Sequence, residues 1–148
     1  MRFLCDVMLG KLAKYLRILG FDTIYVESVV MLEKYKNENN PTLLFTKRSV
    51  QKSLYGNCIY IKSNNVFDQL AEIKSIIESN IDRNTTMKRC IKYNMLLNDV
   101  EKDTVENLVP EFIFHKYEIF KFCPFCMKVY WEGSHVEHME KWVKEITN

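Results

Sequence analysis

The chain has 148 residues and a formal net charge of +2, with 47% hydrophobic and 13% aromatic residues. This composition suits one compact domain, or one domain with a small appendage, and excludes a disordered chain, while so small a charge does not by itself indicate nucleic acid. The sequence has no apolar run of the ~18 residues that a membrane helix needs, and it has no signal-peptide pattern. Its five cysteines are odd in number and unevenly spread, which matches a disulfide scaffold poorly. We therefore expect a cytoplasmic protein with reduced thiols.

Strand and helix patterns alternate through the first 80 residues. Short apolar, β-branched and aromatic runs predict four strands, at Arg2–Cys5, Thr23–Val26, Leu43–Thr46 and Cys58–Ile61. Apolar residues at helical spacing predict helices over Met8–Leu19, Val29–Lys36 and Phe67–Ile77, and the composition of Asn37–Pro41 predicts a loop. This alternation predicts an α/β fold in which helices flank a parallel sheet.

The pattern changes after Asn80. A polar linker, Asp82–Thr86, leads into residues 87–134, which carry three cysteines and two aromatic clusters but no long helix pattern. Residues 135–148 return to helical spacing and are predicted to pack back on the body. The predicted organisation is therefore an α/β domain over 1–80, a small insert over 87–134 and a C-terminal helix over 135–148.

The polar residues that follow the predicted strands mark the edge where a site is expected. Ligands of an open parallel sheet bind at the carboxyl ends of its strands, and these ends are followed by Asp6, Glu27, Lys47 with Arg48, and Lys62. A two-metal nuclease needs several converging carboxylates, whereas two acids and three cations suit a phosphate better than Mg²⁺. Asp6 can equally be the N-cap of the following helix, and Glu27 can be a solvated strand end.

Three cysteines suggest a metal site in the insert. Cys123 and Cys126 have the spacing of one zinc knuckle, and Cys90 begins a second run in which Tyr93 stands where the fourth thiolate is expected. We interpret this as a zinc ribbon with one eroded half; a redox pair is the alternative. The candidates for the fourth position are water, His115 and His138.

The aromatic segment after the second knuckle has two interpretations. Tyr130 and Trp131 can stack on nucleic-acid bases, or they can pack the ribbon onto the sheet. His135 can act as a general acid or base, bind zinc, or cap the final helix.

Two separated segments carry a family resemblance. Phe3–Ala13 with Leu16–Thr23 resembles the opening of the Mut-seven-C ribonuclease-like family, and Phe122–His135 resembles its ending. The resemblance implies a PIN-like α/β fold with an inserted zinc ribbon, RNA as partner, Mg²⁺ or Mn²⁺ held at Asp6, and Zn²⁺ held by Cys90, Cys123 and Cys126. Asp6 and Asp22 match acids of the family and would be catalytic, although Asp22 also fits a turn, and Glu27 is the best available partner for Asp6 at the sheet edge. The RNA-binding residues would be Lys11, Lys14, Arg17, Lys47, Arg48, Trp131 and His135.

The chain departs from the family pattern at its presumed metal sites. Where the family has Thr-Arg-Asp after the third strand, this chain has Thr46-Lys47-Arg48, and no acid occurs in Ser28–Val30. Tyr93 replaces a cysteine, and Met127 replaces a favoured glycine. We therefore predict weakened or lost metal-dependent hydrolysis with RNA binding retained; the alternative is a non-catalytic RNA- or protein-binding module on the same scaffold.

Overall fold

A parallel sheet forms the centre of the molecule. The computed structural model describes residues 1–36, 42–51 and 55–147, apart from the side chains of residues 134–136, 143, 146 and 147. The predicted loop Asn37–Pro41 lies outside the described residues. The strands are β1 (Arg2–Cys5), β2 (Thr23–Tyr25), β3 (Thr42–Thr46) and β4 (Cys58–Tyr60), in the order β2-β1-β3-β4. The α/β prediction is therefore confirmed.

The register of the sheet brings its carboxyl ends to one edge. Cys5 pairs with Tyr25 on one side and Phe45 on the other, and Thr46 pairs with Tyr60, all in parallel ladders. β1 and β3 occupy the centre, which explains why both are almost continuously apolar. The residues that follow the four strands consequently share the same edge.

Helices cover both faces of the sheet. They are α1 (Gly10–Ile18), α2 (Val29–Lys36), α3 (Val66–Glu72) and α4 (Lys74–Asn80). Leu12 and Leu16 of α1 pack with Phe3 and Phe45 on one face, while Leu32 of α2 packs on the other. None of the helices in the described residues is long and apolar enough to cross a membrane.

The helix predicted over Phe67–Ile77 is two helices. The backbone leaves helical geometry at Ile73, with φ −107° and ψ 15°, yet its side chain is fully buried. Asn65 begins α3 by accepting a hydrogen bond from the Phe67 N–H at 2.8 Å. The break was not visible in the sequence because Ile73 keeps the apolar spacing of a continuous helix.

A second, antiparallel sheet forms the insert. It contains β5 (Asn98–Val100), β6 (Phe120–Phe122) and β7 (Val129–Tyr130), with a 3₁₀ helix at Lys102–Val105 and α5 at Glu111–Lys116. Val105, Val109, Ile113 and Phe120 form its own small core. The last helix, α6 (Ser134–Thr147), packs on the α/β core through buried Met139.

Candidate functional site

Asp6 lies at the carboxyl edge of the sheet and is completely buried. Its carboxylate accepts four hydrogen bonds: Arg48 Nε and Nη2 donate to Oδ2 and Oδ1 at 2.8 and 2.6 Å, Thr46 Oγ1 donates to Oδ2 at 2.7 Å, and the Val7 N–H donates to Oδ1 at 2.9 Å. Burial acts to raise the pKa of Asp6, but the bonds from Arg48, Thr46 and Val7 outweigh it and hold that pKa below its usual range. Asp6 is therefore a carboxylate at neutral pH, paired in the fork geometry of a guanidinium.

The local chain explains how Arg48 reaches Asp6. β1 and β3 are neighbours, so Asp6 and Thr46 follow adjacent strands at the same edge. The Arg48 N–H donates to Thr46 Oγ1 at 3.0 Å, which turns the chain back over the edge. The alternative of Asp6 as a helix cap does not apply, because α1 begins at Gly10 with Leu9 as its N-cap.

A divalent metal does not fit this arrangement. Mg²⁺ needs free oxygen ligands, whereas both oxygens of Asp6 are held by Arg48, whose fixed positive charge would repel an ion. Among the described residues, no group of three acids or histidines with metal-ligand spacing includes Asp6. The ion pair thus occupies the place where a cation would bind.

The structure does not bring the other predicted acids to Asp6. Asp22 precedes β2 and lies beside Arg2, four register positions away, or roughly 13 Å at about 3.3 Å per residue. Its carboxylate accepts from Asn94 Nδ2 at 2.6 Å and from Arg2 Nε at 3.3 Å, so it joins the body to the insert. Glu27 follows β2 at the correct edge, but it is exposed and lines a separate cleft.

The predicted phosphate-binding cations have different surroundings. Lys11 and Lys14 are exposed on α1. Arg17 is buried, and its guanidinium donates to the carbonyls of Thr23, Ile91 and Lys92 at 2.9, 2.6 and 3.2 Å. Lys47 Nζ donates to the carbonyls of Lys62 and Ser63 at 3.2 and 2.8 Å. Arg17, Lys47 and Arg48 therefore use donors to hold the protein together, and Lys11 and Lys14 remain open to solvent.

The predicted cysteine cluster is present. The sulfur atoms of Cys90, Cys123 and Cys126 all lie within 4.8 Å of one another, and the Sγ atoms of Cys90 and Cys126 are 3.7 Å apart. Zinc–sulfur bonds of about 2.3 Å in a tetrahedron place sulfurs roughly 3.8 Å apart, so the donor set fits zinc. Zinc bound there would be a structural ion that ties two turns together.

The two turns that carry these cysteines have the same backbone geometry. The N–H of Tyr93 points to Cys90 Sγ at 3.4 Å, and the N–H of Cys126 points to Cys123 Sγ at 3.4 Å. In both turns the next residue donates to the carbonyl of the first cysteine at 2.9 Å. That next residue, Asn94 or Met127, has a φ of 62° or 61°, in the left-handed region that favours glycine. The Cys90 turn therefore has the same conformation as the Cys123 turn, although Tyr93 supplies no thiolate ligand.

Tyr130 completes the surroundings of the cluster. Its hydroxyl is hydrogen-bonded to Cys90 Sγ at 3.0 Å, and burial together with Cys90 raises its pKa. Burial likewise raises the pKa of Cys123. Burial also acts to raise the pKa of Cys126, but hydrogen bonds from the Lys128 backbone N–H and the neighbouring thiols outweigh it, so the pKa of Cys126 is lowered. Neither of the two histidines predicted as a fourth ligand joins the cluster. His115 is exposed and its Nε2 lies 3.8 Å from Glu111 Oε1, and His138 is also exposed.

The remaining predicted RNA-binding residues lie in the closing segment. Trp131 is half-buried and packs on the insert core formed around Phe120. The side chain of His135 lies outside the described residues. The stacking role predicted for Trp131 therefore competes with its packing role.

Two exposed residues beside α1 were not predicted as site residues. Lys92 and Tyr93 line a cleft of about 650 Å³ together with Lys11 and Lys14. The signal in the sequence is Tyr93 itself, an aromatic residue at the position where a fourth cysteine is expected. Their nearness to α1 depends on contacts more than 70 residues apart in sequence, such as Arg17 to Ile91.

Comparison with known proteins agrees with this arrangement. The Mut7-C RNAse domain matches residues 1–143, which is nearly the whole chain, whereas no curated protein and no solved structure matches it significantly. A match of this extent includes both the parallel sheet and the cysteine-bearing insert. The chain therefore belongs to the Mut7-C RNAse domain family.

Proposed function

We propose that this protein binds RNA on a PIN-like ribonuclease scaffold and has weakened or lost metal-dependent phosphodiester hydrolysis. Membership of an RNase domain family supports RNA as the partner. The observation that carries the loss of hydrolysis is the two-pronged pairing of Arg48 with the buried Asp6 carboxylate. Two-metal hydrolysis needs ions that stabilise the attacking and leaving oxygens, and this pair leaves the carboxylate no free oxygen for one.

Hydrogen bonds and opposite charge join the residues at the sheet edge. Arg48 neutralises Asp6, and Thr46 bonds to both of them. With Asp22 at the other end of the sheet, Glu27 is the closest substitute that the sequence offered, and one exposed acid cannot offset the charge of a divalent ion. The cysteine cluster supports a separate, structural zinc in the insert.

RNA cleavage tests this proposal. A labelled single-stranded RNA is incubated with the purified protein in Mg²⁺ and in Mn²⁺, beside an Asp6→Asn variant, and RNA binding is measured in parallel. We expect binding that weakens with salt and cleavage no faster than in the variant. Robust cleavage that disappears in Asp6→Asn would overturn the loss of hydrolysis.

A protein-binding module is the second candidate function. The insert exposes several apolar side chains, with Leu96, Phe125 and Met127 each at least 60% exposed. Side chains of this kind are available for contact with a protein partner if they form one patch. Absence of RNA binding in the same assay would favour this candidate over the first.

A further inference from the structure

We infer that single-stranded RNA binds in the cleft between α1, β2 and the Cys90–Asn94 turn, with Tyr93 as a platform for one base and Lys11, Lys14 and Lys92 on the phosphates. This inference rests on RNA being the ligand of the proposed function. It assigns a site to Lys92 and Tyr93, in a cleft whose described lining includes neither Asp6 nor Arg48.

The charge of the cleft favours a polyanion. Its described lining contains Lys11, Lys14, Arg17 and Lys92, with Glu27 as the acid among them. Lys11 and Lys14 are three residues apart on α1, so their side chains share one face of the helix. Among the described residues, no carboxylate lies within ion-pair distance of the ammonium groups of Lys11, Lys14 or Lys92. Three solvated cations therefore line a cleft whose volume falls in the usual range of ligand sites, about 300–1,000 Å³.

The turn that carries Tyr93 is fixed against the body. Arg17 holds the carbonyls of Ile91 and Lys92, and the Thr23 N–H donates to Asn94 Oδ1 at 3.0 Å. These bonds hold the turn at the start of β2 and against α1. The wall of the cleft is therefore preorganised, so little conformational entropy is lost when a ligand binds there.

Tyr93 has the features of a stacking platform. It is 41% exposed, its ring packs edge-on against Phe125 at a centroid distance of 4.8 Å, and Lys92 Nζ lies 5.2 Å from its centroid. Lys92 lies over one face of the ring, so a base would stack on the opposite face, and the same exposed ammonium suits the phosphate. Tyr93, at the position where a fourth thiolate is expected, would thus stack on a base, on a turn that has the geometry of a zinc knuckle.

The same features select single-stranded RNA over duplex. A base can stack on a protein ring only when it is unstacked from its neighbours, which an A-form duplex does not allow without melting. The phosphate contacts do not depend on base identity, so we expect weak sequence preference.

Fluorescence anisotropy with a labelled single-stranded RNA of about 12 nucleotides tests the inference, with a hairpin duplex as the second probe. We expect Tyr93→Ala and Tyr93→Leu to weaken single-strand binding about tenfold, and Tyr93→Phe to bind as the wild type does, since the ring is what stacks. Lys92→Ala should make the negative slope of log affinity against log salt concentration shallower by about 0.7, because one phosphate contact is removed. Thermal melting of each variant checks that it is folded.

Matched controls come from α5 of the insert. Phe112→Ala removes an aromatic side chain that is 69% exposed, and Lys116→Ala removes an exposed lysine, both outside the cleft lining. Both should bind as the wild type does. If the wild type binds RNA but Tyr93→Ala and Lys92→Ala are indistinguishable from the controls, this inference is wrong while the proposed function stands. If the wild type binds no RNA, the proposed function itself fails.

Discussion

The two places where the family resemblance implies a metal have diverged in opposite ways. At the sheet edge, Arg48 holds both oxygens of Asp6 and substitutes a guanidinium for an ion. In the insert, Tyr93 replaces one ligand, yet the sulfurs of Cys90, Cys123 and Cys126 stay within 4.8 Å of one another. Arg48 changes the chemistry of the sheet-edge site, whereas the cysteine site keeps three thiol groups that can bind a metal.

The difference follows from the charges involved. A carboxylate site for a hard dication depends on excess negative charge, and Arg48 places a cation where the family resemblance implies an acid, a difference of two charge units. The insert lacks only one of the four thiolates that the resemblance implies, and its geometry is also held by the backbone bonds of the two matching turns. A soft metal with three thiolates can accept water as the fourth ligand. The predictions that follow test each half of this contrast.

The largest effect is expected from the cysteine cluster. We predict that Cys123→Ser lowers the zinc content of the purified protein from about one ion per chain to near zero, and destabilises it by about 4 kcal/mol at free zinc near 1,000 times the dissociation constant. Elemental analysis and thermal melting measure the two quantities. Cys58→Ser, a half-buried thiol outside the cluster, is the matched control. Equal zinc content in both variants would contradict a metal at the cluster.

A smaller but still large effect is expected at the sheet edge. Arg48→Met leaves the completely buried Asp6 charge without its partner, and we predict a loss of about 3 kcal/mol, the low end for breaking a buried ion pair, because Arg48 is 32% exposed. Urea unfolding at pH 7 measures it. The double variant Arg48→Met, Asp6→Asn removes the charge as well and should recover most of the loss. No recovery would mean that Arg48 acts through packing.

Acid should weaken the same pair less than mutation does, because protonation removes the charge that Arg48→Met leaves unpaired. The pKa of Asp6 is depressed in the folded protein, so its contribution to stability is fully present above the unfolded value of about 3.9 and is lost as the pH falls through the folded value. The difference in unfolding free energy between wild type and Asp6→Asn should therefore shrink as the pH is lowered through and below the unfolded value of about 3.9. A difference that is flat across this window would contradict the ion pair.

The sheet and its edge were predictable from sequence because local patterns determine them. Strand–helix alternation gave the parallel sheet, and parallel strands necessarily place Asp6 and Arg48 at one edge. The spacing of Cys123 and Cys126 with upstream Cys90 predicted the cluster. Asp22 entered the predicted catalytic set through the family resemblance, whereas the register places it at the opposite end of the sheet from Asp6, as its turn position before β2 suggests. The cleft at Tyr93 was not predictable, since it depends on how Arg17 clamps a turn distant in sequence.

Binding of Mn²⁺ tests the central claim most directly. The zinc-loaded wild type and the variants Arg48→Asp and Asp6→Asn are titrated with Mn²⁺ by calorimetry, and the melting temperature of each is measured with and without the ion. If Arg48 takes the place of a metal, the wild type shows no saturable Mn²⁺ binding, while Arg48→Asp binds the ion and melts at a higher temperature in its presence. Saturable Mn²⁺ binding by the wild type that Asp6→Asn abolishes would contradict the account.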